Sequence, residues 1–202
     1  MVHEANIHIH HLTRVEGHGD ITAVIQGGRL KEVRFAVVES PRFFEAFLRG
    51  RAYDEVAHLA SRICGICAVS HKTAALKAVE AAFGVDVSEQ TVLLRRLAFH
   101  GEVLSSHVLH LYFLAAPDFL GVRSLLHLAE TDRETVLRAM RLKKLAYDLC
   151  REVVGRHTHP VAMKAGGFSF VHHEAPLKAM RTRLLEGLED IRQTVSLFRG
   201  VS

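Results

Sequence analysis

The spacing of apolar residues changes at Pro41, and this change constrains the fold of the whole chain. Three stretches before Pro41 alternate apolar and polar residues, as strands with one covered face do. They are Asn6 to Leu12, Asp20 to Gln26 and Leu30 to Val38. Gly27 and Gly28 supply a hairpin turn between the last two. After Pro41 the period is helical, so we predict an α+β fold that is predominantly α-helical, with a small N-terminal antiparallel sheet followed by a helical bundle.

The helical part divides into several segments with recognisable start and stop signals. The predicted helices run from Phe43 to Leu48, Tyr53 to Ala60, Val69 to Phe83, Ser88 to a stop before Pro117, Thr131 to about Arg151, and Ala175 to Phe198. A loop from Val154 to His172 precedes the last helix. The 202 residues suffice for a single domain over 1–202, with residues 1–40 forming the sheet and 41–202 the helical part.

The net charge of +4 does not indicate a nucleic-acid partner, because basic and acidic residues alternate and form solvated helix faces. Charges also interrupt every apolar stretch before it reaches the roughly 20 residues that a membrane helix needs, so we predict no membrane span. Three cysteines are too few for a disulfide framework, and the first residues form neither a basic nor an apolar signal segment. We therefore expect a cytoplasmic location.

The run RICGICAVSH, from Arg62 to His71, holds the most informative chemistry of the chain. Cys64 and Cys67 stand three residues apart and His71 follows four residues later, so these groups can share one face of a turn that enters a helix. Thiols at this spacing occur in redox pairs, zinc knuckles, and iron-sulfur or nickel sites, and the spacing alone leaves these open. The third cysteine, Cys150, is interpreted as a buried apolar residue.

At full length, the pattern Arg-x-Cys-Gly-x-Cys-x-x-x-His resembles the N-terminal cysteine signature of nickel-iron hydrogenase large subunits. The resemblance continues in order along the chain. It includes Thr13 to His18, Arg42 to Glu45, Gly155 to Pro160, and Gly166 with Gly167. The stretch from Leu111 to Phe119 resembles the cytosolic branch of the family that is F420-non-reducing and linked to heterodisulfide reductase.

This resemblance implies a nickel-iron centre. Cys64 would be a terminal nickel ligand, and Cys67 would bridge the nickel to an iron that carries small diatomic ligands. Thiolates suit a soft, redox-active nickel. His71 would lie beside the centre as a hydrogen-bonding group, and a histidine satisfied by the backbone of its own helix is an equal alternative.

Three further residues acquire roles only through the resemblance. Glu16 would accept the proton that leaves the terminal cysteine, whereas without the motif it is a solvated residue at a strand-turn junction. Glu45 would bind a second divalent ion, magnesium or iron, although Phe43 stands where the family commonly has glycine and an exposed helix face is an equal alternative. His159 would face an iron-sulfur cluster of the partner subunit, with a plain glycine-proline loop as the alternative.

The resemblance implies reversible oxidation of dihydrogen. The implied partners are an iron-sulfur small subunit, together with heterodisulfide-reductase-type or F420-linked electron-transfer subunits. Large subunits of the family end with a second cysteine pair, and nothing after Gly167 resembles it. We therefore expect an N-terminal portion that is inactive by itself. Two alternatives stay open: a non-catalytic scaffold or electron-transfer subunit derived from the same family, and a zinc-stabilised interaction module.

Overall fold

The computed structural model describes residues 4–200, apart from the side chain of Pro41. The described chain forms two compact units, one up to Phe47 and one from Leu48 onward, and each is described by itself. The predicted single domain over 1–202 stays a prediction. The fold class is confirmed, since a small antiparallel sheet is followed by a mostly helical remainder.

The first unit contains a three-stranded antiparallel sheet in the order β1-β2-β3. Its strands are β1 (Ala5–Ile9), β2 (Gly19–Gln26) and β3 (Arg29–Val37). Gly27 and Gly28 connect the last two strands with φ values of 59° and 71°, which is the left-handed conformation that a two-residue hairpin turn requires. Side chains alternate between two faces, so the polar residues of β1 and β2 lie together on one of them.

Eight α-helices lie within the described residues. They are α1 (Pro41–Leu48), α2 (Tyr53–Ala60), α3 (Ala68–Phe83), α4 (Glu89–Val108), α5 (Ala116–Phe119), α6 (Arg133–Val154), α7 (Glu174–Glu186) and α8 (Leu188–Arg199). A π-helical segment (Leu109–Ala115) joins α4 to α5, and a 3₁₀ turn (Leu125–Ala129) precedes α6. No helix in the described part of the chain is both long enough and apolar enough to cross a membrane.

The core of the second unit lies where α4 and α6 pack against each other and against α3. Gly101 of α4 faces α6 so closely that a Cβ atom there would lie 2.8 Å from the sulfur of Cys150. Cys150 is fully buried in this core, as predicted, and burial with help from Glu102 raises its pKa to about 12. A second cluster surrounds Tyr112, whose hydroxyl contacts Thr194 and accepts a hydrogen bond from Arg138.

Two predicted helix boundaries are wrong. The helix that begins after Ser88 does not stop before Pro117. Because the first turn of a helix needs no amide donor, Pro117 fits there, and the π-helical segment leads directly into α5. The predicted helix from Ala175 to Phe198 is two helices that meet at Gly187, where the backbone comes so near α6 that a Cβ atom would lie 2.7 Å from Leu145.

Two local predictions also need adjustment. Asp132, and not Thr131, caps α6 by accepting the amide of Thr135, and the helix continues to Val154. The predicted loop from Val154 to His172 contains a short hairpin formed by β4 (Met163–Lys164) and β5 (Gly167–Phe168). Each of these strands has only two residues, which is too short for a pattern of alternation to reveal.

Candidate metal centre

The two thiols of the predicted centre lie in one turn at the start of α3. Cys67 is the residue immediately before the helix, and its amide N–H donates to the sulfur of Cys64 at 3.2 Å. Both side chains are partly buried. A Cβ atom on Gly65 between them would meet only the methyl group of Thr158, at 3.8 Å. This turn therefore offers two soft donors from one short segment, and such a donor set fits nickel, iron or zinc.

A buried carboxylate fixes the first turn of the same helix. Glu102 of α4 accepts the backbone N–H of Val69 at 2.6 Å and that of Ser70 at 3.1 Å, and it also accepts the Ser70 hydroxyl. These amides belong to the group at a helix start that has no partner within the helix. Glu102 satisfies them and interacts favourably with the positive end of the helix dipole. The backbone that follows Cys67 is thus held against α4.

The loop after α6 crosses behind the cysteine turn. His159 uses Nδ1 to contact the carbonyl oxygen of Ser61 at 2.6 Å, three residues before Cys64. Lys72, on the second turn of α3, donates from Nζ to the carbonyl oxygen of Pro160 at 2.8 Å. The His-Thr-His-Pro segment is therefore attached both to the end of α2 and to α3, and it frames the segment that carries the thiols.

Positive charge is concentrated at this junction. Lys72 is 4% exposed, and burial, followed by repulsion from Lys164 and Arg62, lowers its pKa to about 8. Burial and the charge of Arg62 also hold the pKa of His58 below its ordinary value. Ionised thiols or another anionic group beside Cys64 would be stabilised by this field.

At the other end of α3, a buried ion pair anchors the glycine loop. Glu80 and Arg95 form two hydrogen bonds of 2.8 and 2.6 Å, and both side chains are 6% exposed. Arg95 also donates to the carbonyl oxygen of Lys164, and Glu80 accepts the N–H of Gly166. The φ of 79° at Gly166 makes it a turn residue of the β4–β5 hairpin. This glycine therefore has a structural role within this chain.

The remaining predicted site residues are placed as follows. Glu16 is exposed in the loop between β1 and β2, and Glu45 is exposed on α1. His71 lies on the first turn of α3 and is partly buried, with its amide bonded to the carbonyl oxygen of Cys67. The structure therefore brings His159 and His71 to the cysteine segment, whereas the roles of Glu16 and Glu45 stay predictions.

Sequence reasoning missed Glu102, Lys72 and Glu39. Glu102 had a readable signal, because it stands four residues after Ala98 and eight after Leu94 and so shares the buried face of α4. Glu39 accepts both the amide and the Nδ1–H of His18, and the hydrogen bonds from His18 lower its pKa. It thereby secures the end of the loop that carries Glu16. Nothing local marked Lys72 as buried.

Comparison with known proteins identifies the family of this fold and cysteine turn. The model of the family described as nickel-dependent hydrogenase matches residues 42–140, and a HoxL-like model matches residues 6–40. The chain is 36% identical over 192 residues to the alpha chain of sulfhydrogenase 2 from Pyrococcus furiosus, which covers 95% of this chain and 47% of that protein. It is also 36% identical over 195 residues to the corresponding chain of the F420-non-reducing hydrogenase of Methanothermobacter thermautotrophicus, covering 92% of this chain and 41% of that one.

Solved structures agree with these sequence relatives. The crystal structure of an NAD⁺-reducing [NiFe]-hydrogenase in the H₂-reduced state superimposes with a TM-score of 0.82 and 32% identity, over 98% of this chain and 46% of that one. The chain belongs to the nickel-dependent hydrogenase large-subunit family. It spans less than half the length of the curated relatives described above.

Proposed function

We propose that this chain supplies the N-terminal half of a hydrogenase large subunit that interconverts dihydrogen with protons and electrons. One observation carries the proposal: Cys64 and Cys67 occupy a single turn at the start of α3, with an amide N–H directed at the first sulfur. A nickel-iron centre bound there would provide soft, redox-active metals for dihydrogen cleavage. This chain would contribute two thiolates, and a further segment would contribute the others.

The surroundings of the two thiols favour a fixed donor geometry. Glu102 holds the amides of Val69 and Ser70, so the backbone on the helical side of Cys67 has little freedom. His159 and its contact with Ser61 hold the other side of the turn. Because ordering costs are met when the protein folds, such a turn binds a metal without a further loss of backbone entropy.

Proton transfer and a second cation site form the next part of the proposal. We assign Glu16 as the acceptor for the proton that leaves a terminal cysteine, since an exposed carboxylate exchanges protons readily with water. We assign Glu45 as an oxygen ligand for magnesium or iron, which are cations that carboxylates suit. The support for both assignments is the motif in which each residue stands.

His159 is proposed to face an iron-sulfur cluster of a small subunit. Its Nδ1 lies 2.6 Å from a carbonyl oxygen, which can only accept, so Nδ1 carries the proton. Nε2 is then an acceptor in the neutral ring. Donation to a cluster sulfur would therefore require the doubly protonated imidazolium, and this makes the contact sensitive to pH.

The partners follow from the same proposal. An iron-sulfur small subunit would receive the electrons, and an electron-transfer subunit of the heterodisulfide-reductase or F420-linked type would pass them on. One relative, from Archaeoglobus profundus, is itself named as an iron-sulfur subunit of an F420-non-reducing hydrogenase. A cytoplasmic location belongs to the proposal too, and it is supported by a chain with only three cysteines, of which Cys150 is buried in the core.

The test is a metal and activity assay on protein purified without oxygen from cells that make it, together with whatever subunits copurify. We expect nickel and iron in equal amounts and dihydrogen-dependent reduction of a viologen dye. Changing Cys64→Ser or Cys67→Ser should remove bound nickel and abolish dye reduction. The matched control is Cys150→Ala, which removes a thiol outside the cysteine turn and should retain both properties.

Other outcomes would support the alternatives. Stoichiometric zinc with no nickel would favour the zinc-stabilised module, and it would contradict the hydrogenase proposal. A stable complex that lacks metal on this chain would favour the scaffold. Equal nickel content in the Cys64→Ser variant and the unchanged protein would place the metal elsewhere.

A further inference from the structure

A second group of potential metal ligands lies in the first unit, on the polar face of the sheet. His8 pairs with Thr22 across the β1–β2 ladder, and the next pair is Ile9 with Ile21. The same antiparallel register, continued by one residue, places His10 opposite Asp20. Because residues two apart on a strand share a face, His8, His10 and Asp20 point to the same side.

The distances within this group are those of a metal site before a metal draws it together. Ligand atoms of His8, His10 and Asp20 lie within 4.8 Å of one another. His10 Nδ1 and Asp20 Oδ2 are 3.6 Å apart, which is too long for a hydrogen bond. Ligand bonds of roughly 2.0–2.2 Å around a tetrahedral zinc put neighbouring donor atoms about 3.3 Å apart. Small rotations of exposed imidazoles close the difference.

Asp20 is already oriented for this role. Its Oδ1 accepts the backbone N–H of His11 at 3.0 Å, and its side chain is only 21% exposed. His11 has a φ of 55°, a conformation that turns the chain at the end of β1 and brings this N–H to the carboxylate. The hydrogen bond from His11, followed by the charges of His10 and His11, holds the pKa of Asp20 below its ordinary value. The carboxylate is therefore ionised at neutral pH, with Oδ2 directed toward His10.

We propose that His8, His10 and Asp20 form a second cation site, which takes a divalent metal of borderline softness such as zinc or nickel. Two imidazoles with one carboxylate favour these metals over magnesium or calcium, which prefer oxygen donors throughout. Three protein ligands leave one position of a tetrahedral sphere for water or another ligand. Arg34, which pairs with Thr22 on the same face, opposes the cation and limits its affinity.

This site is independent of the proposed hydrogenase centre, since it uses other residues and another donor chemistry. It does not require a second polypeptide to complete it. The thiol pair would bind metal through sulfur, whereas this group binds through nitrogen and oxygen. A spectroscopic probe can therefore distinguish the two sites in one molecule.

The experiment uses the full chain without an affinity tag, in the Cys64→Ser/Cys67→Ser background, so that the thiols of the cysteine turn cannot contribute. Calorimetric titration with zinc should give about one ion per chain. His8→Ala, His10→Ala and Asp20→Asn should each weaken zinc binding by at least about tenfold. His107→Ala removes an exposed histidine of α4 and should leave zinc binding unchanged.

Cobalt titration of the chain with intact cysteines provides the second measurement. Visible ligand-field absorption without a thiolate charge-transfer band reports the imidazole site, and the thiolate band reports the cysteine turn. Loss of the first signal alone in His10→Ala would support the proposal, even if the thiol pair proves empty. Zinc binding that is absent, or that persists undiminished in all three variants with unchanged circular dichroism, would overturn it.

Discussion

The two ends of α3 are both fixed by buried glutamates, but the two carboxylates act in different ways. At the first turn, Glu102 accepts backbone amides and one hydroxyl, and it holds the helix that follows the cysteine turn. At the last turn, Glu80 pairs with the guanidinium of Arg95 and reaches the hairpin through Gly166. One end is thus stabilised through the amides of the helix itself, and the other by a separate charged side chain.

This difference teaches where the molecule tolerates change. A buried carboxylate that meets only amides and a hydroxyl leaves neutral groups behind when it is removed. A buried carboxylate that meets a guanidinium leaves an uncompensated charge, which is more costly. Removal of Glu80 should therefore cost more free energy of unfolding than removal of Glu102, although only Glu102 adjoins the thiols.

The largest expected effect is that of Glu80→Ala. Arg95 would keep its burial and lose both hydrogen bonds, so we expect the free energy of unfolding to fall by about 3–5 kcal/mol. Denaturation in urea measures this value. The exposed partner of Arg141, Glu134, provides the control, because Glu134→Ala should change stability by less than about 1 kcal/mol.

The pH dependence of that loss gives its sign. The hydrogen bonds from Arg95, chiefly, keep the pKa of Glu80 below its ordinary value in the folded state. The stabilisation is therefore complete above the unfolded-state pKa of about 4.3 and disappears as the pH falls through the lower folded-state value. The unchanged protein and Glu80→Ala should thus converge in stability in acid, and a gap that stays constant down to low pH would contradict this assignment.

The contrast also shows which features the sequence alone could predict. Three strands, their glycine turn and α2 follow from local alternation and local turn chemistry, and they appear where the pattern placed them. The cysteine turn was predictable for the same reason, since Cys64 and Cys67 are three residues apart. Helical periodicity also located α3 to within one residue at its start.

The parts that escaped prediction depend on contacts between distant residues. A helical pattern treats Glu80 and Arg95 as surface charges, and only their meeting across α3 and α4 compensates for their burial. The interruption at Gly187 had no local signal either, because the helical period continues across it. Its cause is the close approach of Leu145 from α6.

The next effect in size is that of Glu102→Ala. The amides of Val69 and Ser70 would be left in a partly buried place with no acceptor, so we expect a loss of about 2–3 kcal/mol. Hydrogen exchange at these two amides should accelerate more than exchange at the last turn of α3. Glu102→Gln retains one acceptor oxygen and should show an intermediate loss. Equal acceleration at both ends of the helix would mean that Glu102 stabilises the whole unit rather than the first turn.

The smallest effect is expected for Ser70→Ala, which removes only the hydroxyl that Glu102 accepts. The carboxylate keeps its two backbone donors, so the free energy of unfolding should fall by about 1 kcal/mol, with no change in the denaturant slope. The double variant Ser70→Ala/Glu102→Ala decides whether the hydroxyl acts through the carboxylate. If it does, Ser70→Ala costs almost nothing once Glu102 is absent, because the two residues are directly bonded and their effects are not additive. The same cost in both backgrounds would show that the hydroxyl stabilises α3 by another contact, and the first turn would then depend on Glu102 through its amides alone.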